Sequence, residues 1–188
     1  MARTEVVTRE QLIETAARIL AEAGLDGLST RRLANELGVS TMVVYTRFGS
    51  KPELLDAVVA EGFARQAVRL EGVAETGDPA ADLVELGMAY RANAVENPHL
   101  YSIMYDGNGE DSLRGDQAKL TADLFTAAAK RVVDAGMAVA GGPEVLAQLV
   151  WSLVHGWVGL ELAGVVGRVA DPESALRPAL DHVVSRNG

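Results

Sequence analysis

Residues 29–51, STRRLANELGVSTMVVYTRFGSK, constrain the fold of this 188-residue chain more than any other stretch. Leu33, Ala34 and Leu37 recur at helical spacing. Gly38 follows them, a residue that can take the left-handed conformation needed to end a helix and turn the chain. Val39 plugs the turn, and Ser40 stands where it caps a second helix. Val44 and Phe48, four apart, give that helix an inward stripe. Thr41, Met42, Tyr45 and Thr46 are then left pointing outward, with Val43 at the edge of their face. A small helix that offers methyls, hydroxyls and an aromatic ring to solvent suits a DNA major groove. The rival reading is an ordinary helical hairpin, with Met42 and Tyr45 packed on a neighbour. Ser50 and Glu53 form a capping box that opens a further helix. Lys51 and Pro52 lie in its first turn, Pro52 where a backbone donor is not missed.

The remainder reads as all-α, with no strand pattern, repeat or low-complexity segment. Hydrophobic residues are 48% and aromatics only 5%, a composition suited to closely packed helices. A first helix is expected over about Arg9–Ala23, capped by Thr8 and stopped by Gly24, with Leu12, Ala16, Ile19 and Leu20 inward. The second and third span about Thr30–Leu37 and Thr41–Phe48. A three-helix unit of this size is marginal alone, so Leu54, Leu55, Val58 and Val59 are expected to tie a fourth helix, about 51–73, to both domains. The domains are then 1–50 and 51–188, with that helix linking them. A fifth helix runs from Pro79 to about Glu96, and a short one covers HLYSIMY. DGNGEDS, 106–112, is the most loop-like stretch. A seventh helix is expected over Leu113–Val139, with Leu120, Leu124, Ala127, Ala128 and Val132 inward. An eighth runs from Glu144 to about Val166 and a ninth from Asp171-Pro172 to about Arg186.

The net charge of −9 is unevenly divided. Residues 1–51 hold seven basic and six acidic residues, and the remainder ten and twenty. A negative body with a slightly positive end would orient the molecule on a polyanion.

The first 63 residues carry a resemblance. TREQLIETAARILAEAGLDGLST, T-R-R-L-A, G-V-S, Y-x-x-F-G-S-K and E-L-L-D-A-V follow one another as in the N-terminal DNA-binding domain of the TetR family of bacterial repressors, over about residues 8–63. The resemblance implies nine helices, a homodimer and a palindromic operator in double-stranded DNA. Thr30 would hold a phosphate at the start of its helix. Arg31 matches the arginine of the TetR T-R-x-L-A pattern and would pair with a guanine edge. Arg32 is either a phosphate contact or a solvated charge. Thr41 and Met42 would face bases with Val43 at the edge of that face, Tyr45 would contact the backbone or a thymine, Ser40 and Thr46 belong to the same DNA-binding set, and Arg47 and Lys51 would neutralise phosphates. Thr41, Met42, Thr46 and Arg47 depart from the commoner S-K-G-T-L-Y-H-Y-F pattern, so no operator sequence follows.

WSLVHGWVGLELAG resembles the W-x-x-x-H-G signature of one TetR C-terminal subfamily, through Trp151, His155 and Gly156. Two readings of Trp151 and His155 are open. They are a core tryptophan beside a hydrogen-bonded histidine, or they join Tyr90, Tyr101, Met104 and Phe125 around an apolar pocket for a small lipophilic effector. Gly156, Gly159, Ala163 and Gly167 lie near one helical face, which asks for a packing reason, since helical glycine costs about 1 kcal/mol. Packing inside the protomer is one reason. The resemblance favours a dimer through the last two helices, which would add Leu176, Leu180 and Val183.

Other chemistry finds no support. There is no cysteine, and His99, His155 and His182 form no ligand set, so no metal and no cofactor is expected. D-G-N-G-E-D from Asp106 is a poor calcium loop. No phosphate loop or nucleophile elbow occurs, so the chain is not expected to be an enzyme. The start, MARTEVVTREQ, has no signal-like apolar stretch, and Glu144–Glu161 encloses only sixteen uncharged residues, read as a buried soluble helix in a cytoplasmic protein. The expected function is a DNA-binding transcriptional regulator, a repressor released by a small molecule. The alternatives are an effector-independent regulator, or a carrier or enzyme that uses the helical cavity.

Overall fold

The computed structural model describes residues 7–105, 112–137, 141–166 and 171–186. Among them are nine helices and no strand: α1 (Arg9–Gly27), α2 (Thr30–Glu36), α3 (Thr41–Phe48), α4 (Lys51–Glu71), α5 (Pro79–Glu96), α6 (Pro98–Met104), α7 (Ser112–Asp134), α8 (Gly142–Leu162) and α9 (Pro172–Arg186). Gly167 and residues 106–111, where a loop is expected, lie outside the described residues. The chain divides into two compact units, 1–64 with 97–114, and 65–96 with 115–188. The boundary expected at residue 50 does not coincide with this division, and the reason is packing. Three short helices leave one side of their core open; Leu54 and Val58 of α4 and Leu100 and Ile103 of α6 close it.

In the first unit, Thr8 and Gln11 make a reciprocal capping box on α1. Gly24 breaks the helix at φ 65°, and a further turn continues to Gly27. Leu12, Ala16, Ile19 and Leu20 are buried as the stripe requires, joined by Ile13 and Ala17. Gly38, also at φ 65°, ends α2, and the amide of Val39 then donates to Ala34 O at 2.9 Å. Gly62 of α4 is a close-approach position. A Cβ there would lie 2.8 Å from the Met104 side chain, so any larger residue would oblige that methionine to shift.

In the second unit α5 is the central helix, buried on most of its circumference and packed on α8 and α9. Gly87 lets Leu180 of α9 approach to where a Cβ would be 2.9 Å away. Arg91 is buried and paired with Glu161 of α8 (2.6 and 2.8 Å) and Glu173 of α9 (3.0 Å). Asp82 is buried at the other end of α5. It accepts from the Thr76 hydroxyl at 2.6 Å, the Thr76 amide at 2.9 Å and Arg131 of α7 at 2.9 Å.

Three sequence expectations are corrected here. The seventh helix ends at Asp134, because Gly136 takes φ 95° before Val139 is reached. The eighth ends at Leu162, with Gly164 at φ 70°. The inward face of α7 is rotated: Thr121, Phe125, Ala128, Ala129 and Val132 are buried, whereas Leu120 and Ala127 are exposed and Leu124 is half-buried. In an alanine-rich helix two stripes are nearly equivalent by sequence, and the aromatic ring settles which one turns inward.

Candidate nucleic-acid interface

The site begins with the frame that holds α3. Val44 and Phe48 are buried in the core of the first unit, and Val43 packs at its edge. The opposite face is open to solvent. Met42 is 69% exposed and Tyr45 48%, and Thr41, Thr46 and Arg47 are exposed beside them. Such exposure rules out the helical-hairpin reading within this chain. Ser40 occupies the N-cap position without a side-chain cap bond, contrary to expectation. Its carbonyl receives Val43 N at 3.0 Å, and its hydroxyl is left for another partner. Thr46 Oγ1 donates to Met42 O at 2.8 Å, so that its methyl and oxygen lone pairs are what remain to present.

Three basic residues stand apart by their partners. Arg31 is exposed on the first turn of α2, and Arg47 on the last turn of α3. Lys51 donates to Leu25 O at 2.8 Å, which fixes the ammonium at the N-terminus of α4 and leaves it two further donors. Thr30 Oγ1 lies 3.3 Å from the Tyr45 hydroxyl, joining the start of α2 to the outward face of α3. Arg32 is neither a phosphate contact held ready nor a free solvated charge. It pairs with Glu36 at 3.1 Å and donates to Gly27 O at 3.3 Å. Arg18 of α1 bonds the same Glu36 carboxylate, so α1 and α2 are clasped through one side chain. The Arg18 bond, with Arg32 adding to it, holds Glu36 below the usual carboxylate range.

Sequence reasoning missed Arg9. Its guanidinium lies 5.6 Å from the Phe48 ring centroid and 3.9 Å from Glu61, linking the end of α3 to α4. An arginine one residue inside a helix cap carries no local signal of such a role.

The six residues expected around one pocket divide between the two units. Tyr90, Phe125, Trp151 and His155 cluster in the second. Tyr90 and Phe125 meet edge to face at 6.1 Å, Phe125 and Trp151 stack at 6.4 Å, and the Tyr90 hydroxyl lies 2.8 Å from His155 Nδ1. Burial holds the His155 imidazole below its ordinary value, which favours the neutral ring beside the tyrosine hydroxyl. Tyr101 and Met104 belong to the first unit, because α6 completes the core there. Tyr101 packs on Tyr105 at 5.7 Å, and Met104 lies over Gly62.

The residues expected at a dimer interface also divide. Leu176 and Leu180 are 0% exposed, committed to the protomer core, and Val183 is half-buried. Leu176 and Leu180 are not available to a partner, since α9 turns that part of its apolar stripe toward α5. Helix α8 is the opposite case. It is long and apolar enough to cross a membrane by length and composition, yet only 28% of its most apolar window is buried. The buried-helix expectation is therefore corrected. Leu146, Ala147, Val150, Val154 and Val158 face inward, while Val145, Leu149, Ser152, Gly156, Gly159 and Ala163 form an exposed stripe at helical spacing. A Cβ at Gly156 or Gly159 would meet nothing within 4 Å, so packing inside the protomer does not explain either glycine.

Comparison with known proteins places this geometry. The profile of the bacterial regulatory proteins of the tetR family matches residues 12–58, and that of the tetracyclin repressor-like C-terminal domain matches residues 83–183. An HTH-type transcriptional regulator of Mycobacterium tuberculosis is 32% identical over 171 residues, covering 88% of this chain and 75% of its own. The class D tetracycline repressor of Escherichia coli is 42% identical over 59 residues, 31% of this chain and 27% of the repressor. The match therefore spans about a quarter of the length of such repressors. The crystal structure of PfmR, a TetR family transcriptional regulator from Thermus thermophilus, shares the fold with a TM-score of 0.77 at 23% identity, over 95% of this chain and 96% of that one. Among the described residues no cluster could hold a metal ion. With both halves matched and a relative aligned along most of its length, the chain belongs to the TetR family of bacterial regulatory proteins.

Proposed function

We propose that this protein is a cytoplasmic transcriptional repressor that binds a palindromic operator as a homodimer and is released by a small lipophilic effector. The observation that carries the reading is the outward face of α3, with Met42 and Tyr45 solvent-exposed on a helix whose other face is locked into a core. Thr41, Met42 and Val43 would contact bases, with methyl groups suited to thymine. Arg31 would pair with a guanine, and Thr30, Ser40, Arg47 and Lys51 would hold phosphates and set register. Tyr45 and Thr46 complete the face.

The exposed stripe of α8 supports a two-fold partner, with Gly156 and Gly159 allowing close approach of the same helix from a second copy. Tyr90, Phe125, Trp151 and His155 support an apolar effector site with one polar pair, and Trp151, His155 and Gly156 fit the W-x-x-x-H-G subgroup. Helix α4 contributes residues to both units, so it is the segment through which effector binding would alter DNA affinity. Moving a population from 1:99 to 99:1 needs about 5.5 kcal/mol of differential binding, within reach of a modest set of contacts.

Selection from a random duplex library tests the reading. An inverted repeat with half-sites about one helical turn apart is expected. No enriched sequence, at low salt as well as moderate, would sink it.

A further inference from the structure

We propose that Arg9 is a positioning residue for DNA reading, its guanidinium holding the far end of α3 through Phe48 rather than binding a phosphate. The inference rests on the DNA-binding reading above and adds to it a residue that fixes the reading helix.

Arg9 is the first residue of α1, directly after the Thr8 cap. A cation in the first turn opposes the dipole of its own helix, so α1 itself supplies no reason for an arginine there. The last turn of a helix is where a cation is favoured, and the guanidinium lies beside the last residue of α3. It stands 5.6 Å from the Phe48 ring centroid and 3.9 Å from the Glu61 carboxylate of α4. Three helices of the first unit thus meet at one side chain.

The seat of Phe48 matters because α3 is short. It has 8 residues and is anchored in the core by Val44 and Phe48. Its start is fixed by the turn, through the Val39 amide on Ala34 O at 2.9 Å. Its end passes at once into Gly49 at φ 75°, so Phe48 is the last side chain of the helix that can hold it down. Thr41 and Phe48 are about 10 Å apart along the axis. With the start pinned, a slip of about 1 Å at Phe48 displaces Tyr45 by roughly 0.6 Å. That displacement matches the whole spread of about 0.5 Å in ordinary N–H···O lengths. A cation over an aromatic ring at a half-exposed site is a modest contact, which sets the expected effect at about two- to fivefold.

Arg9→Gln removes the charge at an exposed position. The experiment measures amide hydrogen exchange at Phe48 and Gly49 in the free protein. It also measures affinity, over a range of salt, for the duplex enriched by the unsubstituted protein. Exchange at the two amides should quicken about two- to fivefold. Affinity should fall by a similar factor while the salt slope stays as it was. A slope lower by about one marks a phosphate contact and overturns the proposal, as does either readout left unchanged. In a Phe48→Leu background, which keeps an apolar side chain and removes the ring, Arg9→Gln should have no further effect. Equal effects in the two backgrounds would also overturn the proposal. If Phe48→Leu does not fold, Phe48→Met takes its place. Failure of the unsubstituted protein to enrich any duplex counts instead against the DNA reading, while exchange at the two amides still decides whether Arg9 seats α3.

Discussion

Gly156→Leu separates a protomer helix from a dimer helix by the sign of its effect. In the protomer alone nothing stands within 4 Å of a Cβ at this exposed position, so a side chain there starts into open space. Leucine is also the better helix former, by roughly 0.8 kcal/mol relative to glycine. A monomeric protein should therefore gain slightly in stability. In a two-fold dimer packed through this stripe the same substitution enters twice, once from each copy. Forcing extra methylenes into a packed contact costs about 1–3 kcal/mol per site, hence roughly 2–6 kcal/mol per dimer. That corresponds to at least about a thirtyfold weaker association. Sedimentation equilibrium gives the dimer constant, and thermal melts at two protein concentrations show whether stability follows association. The expected result is a weakened dimer with a melting temperature that depends on concentration. A variant that dimerises as before and melts higher at every concentration would show that α8 is not the interface.

Arg31→Ala should relax preference at one base pair, costing about 1–3 kcal/mol for the preferred sequence, whereas Arg47→Ala should weaken all duplexes evenly and reduce the salt slope by about one; binding titrations on single-substituted duplexes distinguish them. Asp82→Asn bears on acid stability. The Thr76 hydroxyl and amide, with Arg131 behind them, hold the Asp82 carboxylate below its ordinary value. The stability from that shift is full above the unfolded value of about 4 and is lost as pH falls through the lower folded one. Melts between neutral pH and strong acid should show a shallower acid limb in the Asn variant, and superimposable limbs would contradict the assignment. Leu33→Ala, at a fully buried position beneath α3, should lower the stability of the first unit by about 2–5 kcal/mol in denaturant titrations.

The parts of the fold that depend on local rules were legible. Thr8 as the cap of α1, Gly38 at the turn, and the Val44–Phe48 stripe each follow from capping or periodicity, and α2 to α5 end within two residues of expectation. What failed depends on partners distant in sequence. Gly136 and Gly164 end their helices because their backbones turn left-handed, a choice that a run of glycines nearby did not reveal. Leu120 was as good a core candidate as Phe125 until α7 met its neighbours. Helix α8 was read as buried because its composition is apolar, but composition does not say which protomer covers it. Tyr101 and Met104 carry pocket-like side chains, yet they travel with α6 into the other unit. Arg32 and Arg9 show the same limit for charges, since only coordinates tell an arginine spent on Glu36 or Phe48 from one left for phosphate.

The most direct test of the two-fold DNA clamp is a footprint of the unsubstituted protein on the DNA flanking its own gene, repeated at low and moderate salt. Two protected major-groove segments, about one helical turn apart and related by inverted sequence, are predicted. They should appear together at a single protein concentration and be lost together as salt rises. Uniform protection without a boundary, or none at low salt, would contradict the claim that α3 reads a specific site.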